Sequence, residues 1–391
     1  MISKLFFWCL MYPSPFRLSE PVKLSVWVCR CLVTFVVFFA AANVQAQTSL
    51  AEDTLDVVST DQEPEFGFRS GSFILTPVPF SNPTIGNGLA GGAAWLFTAD
   101  SGSGTSTIGV GGFLTDNDSS GYAIGANLKL SNNRYLMSFL AGHVDLNYDF
   151  TAGFFDFPIE QTGDLYKFEL AYGFTPEVSI GIGLQYADTE LSTTFGGVLP
   201  PEYALSANLE VFKYGLIAEW DRRDSDIYPT TGTLAKLDAY QGEVIGDVGA
   251  DYSKAVLQGS YFRPGFREDH VLGLTATGCL ASDKAPFFDA CSIGLTDGFR
   301  GFSVTEYIGE SLFSIQAEYR GRFGDSRLGY VAFAGAASVG GTQTSSAGSH
   351  GAVGLGARYR LSKDFPVDFS VDATLNSDGE TLYYIFVGQA F

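Results

Sequence analysis

The chain has 391 residues, 43 of them acidic against 23 Lys and Arg, for a formal net charge of −20. That balance excludes nucleic acid as a partner class, and its ordinary meaning is a set of solvated acidic loops and faces. Glycine, at 46 residues where a usual share is about 7%, comes with 34 Phe and 19 Tyr and points to strands rather than helices.

The first predicted element is a targeting segment over residues 1–46. Lys23 and Arg30 precede the apolar run Cys31–Ala42, and Val44-Gln45-Ala46 supplies a small-residue cleavage site, the three-part pattern of a secretory signal peptide. The run is shorter than the roughly 18–20 apolar residues of a spanning helix, which disfavours an anchor. Neither Cys29 nor Cys31 follows a lipobox, which disfavours a lipoprotein. The long stretch ahead of Lys23 leaves open a start downstream of Met1. Residues 47–70 are acidic and unpatterned, read as a short periplasmic tail, too short to fold alone.

From residue 71 to 391 the dominant signal is period-two alternation. It predicts strands at 86–99, 105–115, 120–131, 134–150, 164–175 and 177–191, then at 208–222, 231–243, 249–263 and 270–282. Five more follow, at 309–323, 327–340, 350–362, 365–376 and 381–391. Single-chain bacterial barrels have even strand numbers, so these fifteen imply a sixteenth, either at 71–80 or within 192–206. Ser/Gly/Thr tracts at 99–107 and 338–351 read as loop tips. In the strand at 177–191, Val178, Ile180, Ile182, Leu184 and Tyr186 fall on one face and Ser179, Gly181, Gly183 and Gln185 on the other. At 309–323, Phe313, Ile315, Ala317 and Tyr319 oppose Ser314, Gln316, Glu318 and Arg320. Near the end, Arg358, Arg360, Asp368 and Asp372 share the polar face and are candidates to line a lumen.

A soluble sandwich also alternates. The strands here are long enough to cross a membrane at a tilt, and long polar loops alternate with tight turns. The longest apolar run after residue 46, about Gly88–Phe97, cannot cross as a helix. In lipid only helices and closed barrels satisfy the backbone. The expected fold is therefore all-β: a transmembrane antiparallel β-barrel of about sixteen strands, of the outer-membrane type of Gram-negative bacteria.

Two cysteines lie beyond the targeting segment, Cys279 and Cys291. An even pair in an exported chain suggests a disulfide. It would restrain the base of the following loop, with Pro286-Phe287-Phe288 between them in a compact hairpin.

Four motifs occur in order. Pro77-Val-Pro79, Asn82-Pro83 and Gly86-Asn-Gly88 lead into a strand. Asp221-Arg222-Arg223-Asp224 is followed by Tyr228-Pro229 and Gly232, with Pro229 fixing φ and Gly232 permitting an unusual one. Gly298-Phe299-Arg300-Gly301-Phe302 lies in a long loop, and Glu318-Tyr319-Arg320 lies on the next strand. With a terminal Phe391, this series resembles the bacterial surface antigen family, the barrel superfamily of outer-membrane assembly (Bam/Tam-type) proteins and two-partner secretion transporters. The resemblance covers residues 77–391.

The resemblance implies that the loop bearing Arg300, Gly301 and Phe302 folds into the lumen, where Arg300 pairs with an inward acid. Glu318 is the acid it indicates, and a guanidinium can pair bidentately with a carboxylate in such a space. The family's second acid would stand where this chain has Gly335, which implies a weaker clamp. The segment Asp221, Arg222, Asp224, Pro229 and Gly232 reads as a periplasmic turn whose charges are structural. Phe391, on a final strand with Tyr383, Ile385 and Val387, resembles the terminal signal read by the barrel-assembly machinery, although Gln389 stands where an aromatic is usual.

Three functions compete. The resemblance implies insertion or translocation of polypeptides, by a member without POTRA domains and so leaning on a separate periplasmic partner. A passive or gated pore is the alternative. An outer-membrane lipase or protease is the third, and its best residues are His143 and Asp145, which share a strand face without an obvious serine. No metal-ligand cluster, phosphate-binding glycine loop or Cys-x-x-Cys is present in the sequence, so no cofactor is expected. The expected partners are outer-membrane lipids and, during biogenesis, the assembly machinery.

Overall fold

The computed structural model describes residues 67–389 apart from 153–154, 194–207, 226–227, 246–249, 268, 342–346 and 362–367. The expected targeting segment, the tail before residue 67 and Phe391 lie outside the described residues.

Eighteen strands are described. They are β1 (Ser72–Asn82), β2 (Gly86–Thr98), β3 (Thr105–Thr115), β4 (Ser120–Leu130), β5 (Tyr135–Ala152), β6 (Phe155–Thr175) and β7 (Val178–Thr193). Then come β8 (Asn208–Asp221), β9 (Gly232–Ile245), β10 (Ala250–Pro264) and β11 (Val271–Ala281). The short β12 (Cys291–Ser292) and β13 (Ile308–Gly309) pair only with each other. β14 (Ser311–Arg322), β15 (Leu328–Gly340), β16 (Gly348–Arg360), β17 (Asp368–Asn376) and β18 (Thr381–Val387) complete the chain. All but β12 and β13 close into one barrel of sixteen antiparallel strands, each beside its sequence neighbour, with β11 next to β14 and β18 next to β1.

Burial follows the alternation but with its sense reversed. Outward-facing Leu216, Phe313 and Leu355 are exposed, whereas Glu318, Arg320, Arg358, Asp368 and Asp372 are buried inside. A soluble sandwich hides its apolar face. Apolar side chains outside and a charged interior suit a wall surrounded by hydrocarbon. No helix among the described residues is long and apolar enough to cross a membrane.

The sixteenth strand of the closed barrel is β1, the first of the two segments expected for it; residues 194–207 lie outside the described residues. β6 begins at Phe155, earlier than expected, because Pro158 and the acidic residues beside it mask an alternation in which Ile159 is buried and Glu160 exposed. β18 stops at Val387, before Gly388 at φ 102°. The expected loop tips are shorter than the tracts that suggested them, since β3 starts at Thr105 and β15 runs to Gly340.

Closure is uneven. β1 pairs with β2 along its whole length, from Ser72↔Leu96 to Asn82↔Gly86. With β18 it pairs, among the described residues, only at Ser81↔Ile385. The other end of the barrel wall, β17 with β18, is paired from Phe369↔Val387 to Leu375↔Thr381.

Candidate functional site

The loop between β11 and β14, residues 282–310, enters the lumen. Its base is a disulfide, Cys279–Cys291, with the Cα atoms 5.8 Å apart. Pro286-Phe287-Phe288 does not form a hairpin; a single 3-10 turn at Phe287–Asp289 stands there instead. Pro286 is extended at the head of the turn, and the Phe287 ring packs 4.8 Å from that of Phe150. One wall of the loop's core is apolar: Phe150, Ile159, Leu191 and Leu209 of β5–β8 meet Ala285, Ala290 and Ile308 of the loop.

Arg300 sits at the other side, 4% exposed. Its Nη2 is 2.6 Å from Glu318 Oε2 and its Nη1 is 2.6 Å from Asp372 Oδ2. Nε and Nη2 also donate to Gln316 Oε1 at 3.2 and 3.1 Å. The guanidinium lies 3.6 Å from the ring centre of Phe333, a cation over an aromatic face. Gly301, at φ 139°, could not carry a side chain: a Cβ there would stand 2.5 Å from Ala352 Cβ. Its N–H donates to Tyr384 Oη at 2.8 Å, and Asn376 Nδ2 donates to its carbonyl at 3.0 Å. Phe299 and Phe302 pack with Ile293, Leu312 and Val339 in a second apolar cluster.

One sequence expectation needs revision here. Gly335 does not weaken the pairing, because the second carboxylate comes from Asp372 on β17. Gly335 instead makes room for the loop, since a Cβ at that position would lie 2.6 Å from Phe299 Cε2. Asp372 is shared: Arg358 donates to both of its oxygens. The period-two pattern had placed Asp372 on the polar face, but nothing local marks it as the partner of a residue 72 positions away.

A second charged anchor has no motif at all. Asp289 accepts from Lys213 Nζ at 2.9 Å, Lys254 Nζ at 3.3 Å and Tyr252 Oη at 2.5 Å. Burial opposes ionisation of Asp289, but the two ammonium groups and the tyrosine hydroxyl outweigh it and hold the carboxyl below its ordinary range. Glu306, in the same loop, goes the other way. Burial, with Glu380 and Asp378 nearby, pushes its carboxyl up to about 7.

The segment Asp221–Gly232 bends into the barrel rather than away from it. Asp221 pairs with Arg223 at 2.9 Å, and Arg222 is 3.3 Å from Glu177. Asp224 accepts from the N–H groups of Thr230 and Thr231. Pro229 is buried, and its carbonyl accepts from Arg320. Gly232, at φ 107°, takes a position where a Cβ would strike the Arg222 carbonyl at 2.1 Å.

His143 and Asp145 lie on the outward face with exposed Phe139. His143 Nδ1 is 2.9 Å from Asp164 and Nε2 is 3.5 Å from Asp145. Among the described residues, no group of His, Cys, Asp and Glu is arranged to hold a metal ion.

A closed sixteen-strand barrel with one long loop folded inward and tied by Arg300 is a specific arrangement, and residues 108–377 match the Omp85 superfamily domain. The chain belongs to the Omp85 superfamily. The barrel is similar to BamA from Haemophilus ducreyi lacking POTRA domains 1–3, with a TM-score of 0.55 at 11% identity over 81% of this chain and 70% of that one. It is similar to CdiB from Acinetobacter baumannii, with a TM-score of 0.56 at 13% identity over 81% and 59% of the two chains. CdiB from Escherichia coli gives 0.57 at 13% identity over 84% and 63%. This Omp85 chain thus spans less than two thirds of the length of either CdiB. No curated protein matched it by sequence.

Proposed function

We propose that this Omp85 barrel inserts or translocates polypeptides at the outer membrane of a Gram-negative bacterium, reached through cleavage of a signal peptide at 1–46. The observation that carries this is the seam. β1 is fully paired to β2 but, among the described residues, is in register with β18 at the single pair Ser81↔Ile385, fewer than at any other wall junction. An open sheet edge is a template for an added strand, which suits a polypeptide client better than a solute. A passive pore fits less well, because the loop core around Arg300 and Asp289 occupies the lumen. A catalytic role fits least, given the position of His143. Outer-membrane lipids surround the wall, the barrel-assembly machinery inserts it, and a separate periplasmic protein delivers the client. On this reading the loop bearing Arg300 is extracellular and the Asp221–Gly232 segment is periplasmic.

The test is a cysteine pair at Ser81→Cys and Ile385→Cys, in proteoliposomes supplied with an unfolded outer-membrane barrel protein. Oxidation should abolish insertion of the added protein, and reduction should restore it, with the parental protein insensitive to the same reductant. Undiminished insertion by the oxidised pair, or no insertion by the parental protein, would overturn the proposal.

A further inference from the structure

The segment between β8 and β9 reaches far across its end of the barrel. Tyr228 stands against three guanidinium groups, with ring-centre distances of 4.4 Å to Arg320, 4.9 Å to Arg360 and 5.7 Å to Arg322. Arg320 also donates to the Pro229 carbonyl. Arg320 and Arg322 lie on β14, and Arg360 lies on β16. In the barrel order these are the third and fifth wall strands beyond β9. In a ring of sixteen strands the facing wall is eight away, so the corner rooted at β8 and β9 meets side chains from strands three-eighths and five-eighths of the way to it.

The seat is built independently of the corner. Asp368 on β17 is buried and lies 2.6 Å from both Arg322 and Arg360. It also accepts from Gln389 Nε2 at 2.8 Å. This carboxylate holds two of the three guanidiniums in place, and an aromatic face over fixed cations is attractive with little ordering left to be done. The corner is equally braced on its own side by the bonds from Thr230 and Thr231 to Asp224. A simple surface turn would leave Tyr228 and Pro229 in water. Here Tyr228 is half-buried and Pro229 is buried.

We propose that Tyr228 and Pro229 form a second plug, closing the mouth of the lumen opposite the Arg300 loop, with Arg320, Arg322 and Arg360 as its seat. The two closures meet on one strand. Glu318, which holds Arg300, lies 3.7 Å from Arg320, which holds Pro229. The lumen then has a latch at each end, and releasing one leaves the other shut. The inference concerns passage through the lumen and does not depend on the identity of a client or on the seam.

The test is conductance of the purified full chain in planar bilayers. Arg300→Ala with Asp289→Ala, in reductant that opens Cys279–Cys291, releases the three ties of the loop; on that background Tyr228→Leu removes the ring from the seat and Tyr228→Phe keeps it. The background alone, and with Tyr228→Phe, should stay near the parental conductance. Adding Tyr228→Leu should raise it by roughly tenfold or more as the constriction is lost. The plug is overturned if the background alone conducts as much as its combination with Tyr228→Leu, or if that combination conducts no more than the parent. Should that variant not fold, Pro229→Cys and Arg222→Cys give a second measurement on otherwise parental protein. A water-soluble maleimide should modify the cysteine at 229 roughly tenfold more slowly than the one at exposed 222. Equal rates overturn the proposal.

Discussion

Arg300 is the residue on which the loop turns. It is nearly fully buried and faces two carboxylates and a side-chain amide. Removing one partner of a buried pair leaves an uncompensated charge, at a typical cost of about 3–5 kcal/mol. Arg300→Ala removes the cation shared by Glu318 and Asp372, although Arg320 still lies 3.7 Å from Glu318 and Arg358 still holds Asp372. Glu318→Ala leaves Arg300 its bond to Asp372. Arg300→Ala should therefore raise protease sensitivity of residues 282–310 more than Glu318→Ala or Asp372→Ala. Adding Glu318→Ala to Arg300→Ala should change little further, because the shared interaction is already gone. If the two effects add, the residues act separately. Glu306 makes a different prediction at the same scale. Its carboxyl titrates near 7 in the folded loop against 4.5 as its ordinary value. The folded loop thus favours the protonated form. Its stability falls as pH rises from 4.5 toward 7, and the full penalty applies above that. Proteolysis of the loop should slow when pH drops from 8 to 5.5, and Glu306→Gln should flatten that dependence. An unchanged pH profile in Glu306→Gln would assign the effect to another group.

At the scale of elements, the loop is held at three places: the disulfide at its base, the Arg300 cluster and the Asp289 cluster. A crosslink spanning 12 residues stabilises by about 3 kcal/mol on the chain-entropy account. It acts beside β11, whereas Asp289 ties the loop to β8 and β10. Asp289→Ala would leave Lys213 and Lys254 facing each other without their shared carboxylate. Cleavage within 283–290 should rise in Asp289→Ala even with the disulfide intact, and restoring the acid as Asp289→Glu should recover part of the protection. If only reduction of Cys279–Cys291 exposes that stretch, the Asp289 cluster does not anchor it. The sequence marked the cysteines because two exported thiols invite pairing. Asp289 carried no such mark, because its partners lie on strands 76 and 35 positions away.

At the scale of the whole molecule, the strand set and the inside-out polarity were legible because both are local. Alternation along one strand decides which residues share a face, and strand length decides whether a face can span a membrane. That reasoning placed Glu318, Asp368 and Asp372 on the inner wall, and the family resemblance implied that Arg300 joins them in the interior. It did not choose among the acids. The choice depends on how far the barrel curves and how each strand is staggered against the next, which brings β14 and β17 to the same guanidinium. The absence of an acid at Gly335 read locally as a loss, and only the packed loop revealed Phe299 in that space. Tyr228 read as part of a surface turn because its three arginines lie on β14 and β16. The sequence by itself determined a sixteen-strand barrel with apolar outer and charged inner faces, since that follows from periodicity and length. Tertiary structure alone decided the partners of each buried charge, the inward corner at Tyr228 and the thin β1–β18 seam. Each of these joins residues distant in the chain, and their meeting is set by closure of the barrel rather than by any neighbouring residue.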